Sequence, residues 1–207
     1  MPATLERPKK TVIRLTPQHD GRKMSLAMFD RAIGQPGHTY ELGQGVVEVS
    51  DIPSFEEHGA VMDYLRGLIE VYRFQTPGVI QYVGGGAEAK AVIESTESER
   101  HPDLSVYCQE SPGGNQPWDV WVPEIVVEIV SESSRKRDYG VKPAEYLTFG
   151  CKEYWLIDPA KNVVVIHSRV GGRWQIKSLS TRQKHKTHIL PGFVLDVNKV
   201  LGARKSK

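Results

Sequence analysis

Apolar residues along this chain fall into two rhythms. Val61, Leu65, Leu68, Ile69 and Tyr72 recur at steps of three and four, which places them on one face of a helix. Pro53 and Ser54 open that segment, Ser54 with Glu57 three residues later matches a capping box, and Pro77 and Gly78 follow its end near Gln75. A helix with a single apolar face must lie against something flat, which predicts a sheet. The second rhythm is short and β-branched. Residues 40–42 and 46–49 flank Gly43, Gln44 and Gly45 and predict a hairpin. Strands are also predicted at residues 79–83, 90–93 and 104–107. Residues 125–130 read Ile-Val-Val-Glu-Ile-Val, the pattern of a central strand covered on both faces. Residues 153–157 form another strand, and residues 163–167 and 174–178 a terminal hairpin turning at Gly171 and Gly172.

Two further helices complete the pattern. Residues 25–33 predict a short one, broken by Gly34, Pro36 and Gly37. Residues 133–149, with Val141, Tyr146, Leu147 and Phe149, predict another, stopped by Gly150. Pro143 fits there if a helix restarts near Gly140 and holds the proline in its first turn. Leu195, Val200 and Leu201 close the fold. Residues 1–22, with Pro2, Pro8 and Pro17, read as a poorly structured arm, and residues 203–207 as a basic tail. Between them, residues 23–202 form a single domain of α/β (α+β) class: a mixed sheet flanked by helices.

Composition narrows the function only slightly. The net charge of +2 gives no overall polycation. Basic residues cluster near the two ends (Lys9, Lys10, Arg14, Arg22 and Lys23; Arg182, Lys184, Lys186, Arg204, Lys205 and Lys207) and read as solvated termini. Cys108 and Cys151 lack CxxC spacing and a histidine neighbour, so neither a zinc site nor a disulfide framework is expected, and a cytoplasmic setting fits. No leader-like apolar region opens the chain, and no run reaches the ~20 apolar residues of a membrane span. Gly84, Gly85 and Gly86 lack a following GKS or GKT, so a flexible turn is expected rather than a phosphate loop.

The candidate chemistry lies between His101 and Asp158. Asp103 precedes one predicted strand and Glu128 sits within another. A carboxylate inside an apolar strand is costly unless it is paired or holds a metal. Neighbouring strands would bring both carboxylates, with the Ile129 backbone carbonyl, to one hard divalent cation. Such a cation neutralises phosphoryl charge and makes hydroxide near neutral pH. Lys142, with Lys136 in reserve, is the candidate cationic group for orienting water and stabilising developing charge. Asp138 lies four residues before Lys142, and the plain expectation for that pair is a surface salt bridge.

The ordered set His101-Pro102-Asp103-Leu104-Ser105-Val106, Ile125-Val126-Val127-Glu128-Ile129-Val130-Ser131, Arg137-Asp138, Lys142, Tyr146 and Glu153-Tyr154-Trp155-Leu156-Ile157-Asp158-Pro159 resembles the Uma-type restriction endonuclease family of the PD-(D/E)XK nuclease superfamily. The likeness spans roughly residues 25–200 and includes Tyr40-Glu41-Leu42, Gly45 and His58. It implies a restriction-endonuclease-like sheet and a Mg²⁺- or Mn²⁺-dependent endonuclease acting on DNA. Asp103 and Glu128 would be the metal carboxylates. Val130 stands where the superfamily carries its lysine, and Lys142 on the following helix matches the relocated one. Glu41 would be a further acidic contributor. His58 matches a family position, where a capping or core role is expected. Pro143 directly after Lys142 bears on where that lysine points.

Two other functions compete. A nuclease-fold module without catalysis, binding nucleic acid or a protein partner, fits the near-neutral charge. An acid/base pair acting on a sugar would need no metal and would use Trp118 and Trp121 as its only aromatic platform. Exposed strand edges and the needs of two-strand cleavage are compatible with a homodimer.

Overall fold

The computed structural model describes residues 12–114 and 116–203, with the side chain of Glu57 left out. The elements in chain order are β1 (Ile13–Leu15), α1 (Leu26–Phe29), β2 (Ala32–Gly34), β3 (His38–Gly43), β4 (Val46–Asp51), α2 (Ala60–Gln75), β5 (Tyr82–Gly84), β6 (Ala91–Ile93), β7 (Ser98–Arg100) and β8 (Leu104–Tyr107). Then follow β9 (Ile125–Ile129), α3 (Arg135–Tyr139), α4 (Val141–Phe149), β10 (Glu153–Asp158), β11 (Val163–Val170), β12 (Arg173–Ser180), β13 (Lys184–Lys186), β14 (Val194–Asp196) and α5 (Val197–Gly202).

Two sheets organise the molecule. The larger has six strands in the order β12-β11-β10-β9-β8-β5. Only β9 and β10 run parallel. Parallel neighbours need a crossover, and α3 and α4 provide it. The smaller sheet is antiparallel, in the order β4-β3-β7-β6. The pleat of β9 sorts its residues by face. Ile125, Val127 and Ile129 pack with Val61, Leu65, Ile69 and Tyr72 of α2 and with Val197, Val200 and Leu201 of α5. Val126 and Val130 face the other way, onto Tyr146 of α4, Tyr154, Leu156 and Ile93. The amphipathic helix thus lies on a sheet, as its apolar stripe requires.

Several expectations need correction. Residues 12–22 are not an unstructured arm: β1 pairs in parallel with β2, and Leu15 is buried with Phe29, Leu42 and Val47. Residues 1–11 lie outside the described residues. The helix expected at 25–33 is only α1, because Ala32–Gly34 is drawn into pairing with β1. The main helix does not begin at Ser54. One π-helical turn, Phe55–Gly59, precedes α2, and the amides of His58 and Gly59 both donate to the Ser54 carbonyl. The glutamate half of the capping box, the Glu57 side chain, lies outside the described residues. The stretch 133–149 is not one helix but, as the restart expected near Gly140 has it, breaks at Gly140 (φ −100°, ψ −85°), and Pro143 sits in the first turn of α4. A side chain at position 140 would collide with the Lys136 carbonyl, at 2.5 Å, so glycine permits the break. Strands β7, β13 and β14 were not expected from the sequence; β7 matters below. Both cysteines are free, and Cys151 is buried. No described helix is long and apolar enough to cross a membrane.

Candidate active site

Glu128 occupies the one position of β9 where a charge faces the crossover helices. It is buried, 4 % exposed. Lys142 and Tyr146, one turn apart on α4, both meet its Oε1, at 2.9 and 2.7 Å. Lys142 is itself only 4 % exposed. Its Nζ also lies 3.2 Å from Glu41 Oε2 of β3 and 3.2 Å from Asp138 Oδ1 of α3. One ammonium therefore serves three carboxylates, contributed by β9, the small sheet and the crossover.

Asp103 stands just ahead of β8. Its Oδ2 accepts the Ile129 amide at 2.7 Å and lies 3.0 Å from His58 Nε2. The glycine run holds this corner. A Cβ at Gly85 would strike the Asp103 carbonyl, and the Gly86 amide donates to the Pro102 carbonyl at 2.7 Å. Gly85 thus serves close backbone approach, while Gly86, with φ +57°, sits in the turn that follows. Asp103, Glu128, Ile129, Lys142, Glu41 and His58 all line one cavity of about 430 Å³ between the two sheets.

The electrostatics follow the partner counts. Burial pushes the Glu128 carboxyl up to about 8, because the one cation it shares with Glu41 and Asp138 is outweighed by desolvation and by the neighbouring acids. Burial also works against ionised Glu41, but Lys142, Arg100 and the His101 amide together bring it down to about 2. Asp138 is raised, again chiefly by burial. Burial disfavours the Lys142 ammonium, yet Glu128, Glu41 and Asp138 hold its pKa well above the ordinary lysine value. His58 loses some basicity to burial but gains more from Asp103, and its pKa ends raised.

The family model that matches residues 26–198 is Uma2, described as "Putative restriction endonuclease". The chain belongs to the Uma2 family. No curated protein matches it. Among solved structures it is similar to a "putative nuclease belonging to DUF820 from Anabaena variabilis", with a TM-score of 0.72 at 15% identity, over 87% of this chain and 99% of that one. At that identity the likeness establishes a shared fold, the restriction-endonuclease-like architecture, and no more.

For this Uma2 member, the residues expected from the sequence come together. Pro143 does not turn Lys142 away: the lysine reaches Glu128. The Asp138–Lys142 pair is not on the surface, since Asp138 is buried too; the Gly140 break folds α3 inward against Tyr154, whose hydroxyl donates to the Asp138 carbonyl. His58 is neither a cap nor an apolar-core residue, because its ring reaches Asp103. Lys136 does not line the cavity. Trp118 and Trp121 pack with Ala89, Tyr82 and Tyr107 away from the Asp103–Glu128 cavity, which removes the aromatic platform of the sugar reading.

The sequence hid two groups. Tyr146 reads as an apolar helix position and as part of the family likeness, with no role attached, yet it donates to Glu128. Arg100 is fully buried, 0 % exposed, and contacts Glu41, Glu48 and Glu145. A Ser-Glu-Arg strand carries no apolar alternation, so nothing in its pattern betrays burial.

The donor set suits a hard divalent cation. On Asp103 both protein contacts fall on Oδ2, and on Glu128 both fall on Oε1, so the second oxygen of each lies outside those bonds. Carboxylates also outnumber cationic groups around Lys142. Among the described residues no group of three or more His, Cys, Asp and Glu side chains forms a ready metal cage. Mg²⁺ does not demand one, since it takes one or two carboxylates and keeps its waters.

Proposed function

We propose that this protein is an endonuclease that hydrolyses DNA phosphodiester bonds with the help of Mg²⁺ or Mn²⁺. The observation that carries the reading is the convergence of Asp103, Glu128, Ile129 and Lys142 on one cavity. Asp103, Glu128 and the Ile129 carbonyl would hold the cation. When bound, it supplies Lewis acidity and neutralises phosphoryl charge. The chain's own residues do the rest. His58 fixes Asp103 from one side and the Ile129 amide from the other. Tyr146 and Lys142 fix Glu128. The Lys142 ammonium, held charged by its three carboxylates, offers a donor to an attacking water or a phosphoryl oxygen at the cavity floor. The fold, the family and the acid–lysine order all support this assignment.

Supercoiled plasmid with Mg²⁺ or Mn²⁺ tests it. Nicking by the wild type and its loss in Glu128→Ala are expected. Nicking that survives Glu128→Ala refutes the assignment of the site. Salt-dependent DNA binding with no cleavage and no cation uptake by calorimetry selects the non-catalytic module instead. A homodimer belongs to the proposal as well. Strand β12 ends the six-stranded sheet, and among the described residues nothing pairs with its outer edge. Sedimentation equilibrium reads the oligomeric state directly.

A further inference from the structure

The register of the small sheet creates a problem that one residue solves. Glu41 of β3 stands directly opposite Glu48 of β4. Like charges in that position repel. Arg100 enters from β7, the strand on the other side of β3. Its Nη1 lies 3.4 Å from Glu41 Oε2 and also contacts Glu48 Oε2. Its Nε and Nη2 grip Glu145 of α4 at 2.6 and 3.1 Å. Room for the guanidinium comes from Gly43, two residues beyond Glu41 on β3, where a Cβ would collide with Arg100 Nη2 and Glu48 Oε1.

The oxygen that Arg100 approaches is the one that holds Lys142. Glu41 Oε2 faces Arg100 at 3.4 Å and Lys142 Nζ at 3.2 Å, while Glu41 Oε1 takes the His101 amide at 2.9 Å. Glu145, the other anchor of Arg100, sits on the helix that carries Lys142. Arg100 thus grips both supports of the lysine.

We propose that Arg100 is a positioning residue of this site: through Glu41, and by tying α4 to the small sheet through Glu145, it sets where the Lys142 ammonium stands relative to Glu128. The inference rests on the nuclease reading for its catalytic consequence, though not for its geometry. The competing view makes Arg100 a structural ion cluster and nothing else. Changing one member of a buried ion cluster costs stability under either view, so the two views separate on the state of the Lys142 ammonium and not on stability.

Two variants displace the guanidinium. Arg100→Lys keeps the charge and loses the fork. Gly43→Ala keeps every charge and pushes on the side-chain ends of Arg100 and Glu48, so it perturbs the same guanidinium by a different route. The first readout ignores catalysis. In ¹⁵N-labelled protein the buried Lys142 ammonium gives a protected NMR signal, assigned by its loss in Lys142→Arg. Faster exchange of that signal with water, to the point of its loss, is expected in both variants. The second readout is a double-mutant cycle on plasmid nicking. Arg100→Lys is expected to lower kcat about tenfold or more with KM for DNA unchanged, and to add distinctly less loss in a Glu41→Gln background than in the wild type, because only the Glu145 route remains there. An unchanged ammonium signal in both folded variants overturns the proposal, as does a loss that multiplies with that of Glu41→Gln. A wild type that does not nick DNA refutes the nuclease reading alone, and the ammonium signal then decides the role of Arg100.

Discussion

Replacing Lys142 with methionine keeps most of the side-chain volume and removes the ammonium. The structure says what is left behind: Glu128, Glu41 and Asp138, all within 3.2 Å of the lost Nζ. Only Glu41 retains a second cation, Arg100 at 3.4 Å. Removing one partner of a buried ion pair costs about 3–5 kcal/mol, because the orphaned charge stays desolvated. Here two carboxylates are orphaned, so the upper part of that range applies above pH 8. The pH dependence follows from the signs. A buried carboxyl that has lost its cation holds its proton to higher pH than in the wild type, where Glu128 already sits at about 8. The variant therefore loses stability relative to the wild type as pH rises through the interval between the two folded-state values. The stability gap between wild type and Lys142→Met should accordingly be smallest near pH 5 and widen toward pH 9, with Glu128 contributing above about 8. For a chain of this size about 3–5 kcal/mol corresponds to a fall of roughly 10 °C in Tm. Urea unfolding at pH 5 and pH 9, followed by tryptophan fluorescence, measures the gap. A variant as stable as wild type at pH 9, or a gap that narrows as pH rises, would refute the argument that Lys142 is the charge that makes this cluster tolerable.

Four further outcomes are expected. In the wild type, Glu128 is raised from 4.5 to about 8, so its favourable contribution is fully present below pH 4.5 and is lost as pH rises toward 8; Glu128→Gln should remove that slope, and an unchanged slope in urea titrations contradicts the assignment. Asp103→Asn retains an acceptor for the Ile129 amide but loses a cation ligand, so Mn²⁺ affinity by calorimetry should fall at least about tenfold with Tm nearly unchanged, whereas His58→Gln, which releases Asp103 from one side, should weaken affinity by about 10–100-fold. Leu65→Ala, at the centre of the face α2 lays on the sheet, should cost about 3 kcal/mol in urea unfolding without changing the KM for DNA in a nicking assay.

Much of the architecture was legible because burial writes itself into periodicity. The α2 stripe, the β3–β4 hairpin, the continuous run of β9 and the β11–β12 hairpin each repeat with the period of their element. The site was legible for a related reason: Glu128 interrupts an apolar run, and a charge in such a place asks for a partner. What the sequence concealed is polar and buried together. β7 is Ser-Glu-Arg, which reads as a solvated loop, yet all three residues are buried. Asp138 and Lys142 look like an ordinary surface pair because Pro143 signals a restart near Gly140 but not the direction in which that break turns them. Gly85 looked like part of a flexible turn because close backbone approach leaves no mark on hydropathy. His58 reached Asp103 through a π-helical turn, a local geometry that spacing does not reveal.

The parts of the cavity come from two sheets that fold over different ranges of contact. β9, α3 and α4 are one crossover, local in sequence. β3 and β7 are separate: β3 brings Glu41 to Lys142, and β7 brings Arg100 to Glu41, only when the small sheet is docked. Local opening of a protein costs less than global unfolding. The small sheet could swing free while the six-stranded sheet keeps its core, and the cage around Lys142 would then come apart. In hydrogen-exchange terms, the amides of β3 and β7 would report whether the site is assembled, while those of β9 and β10 would report only that the protein is folded. If the small sheet opens first, competence and foldedness become two separate equilibria, parted at the seam between the sheets.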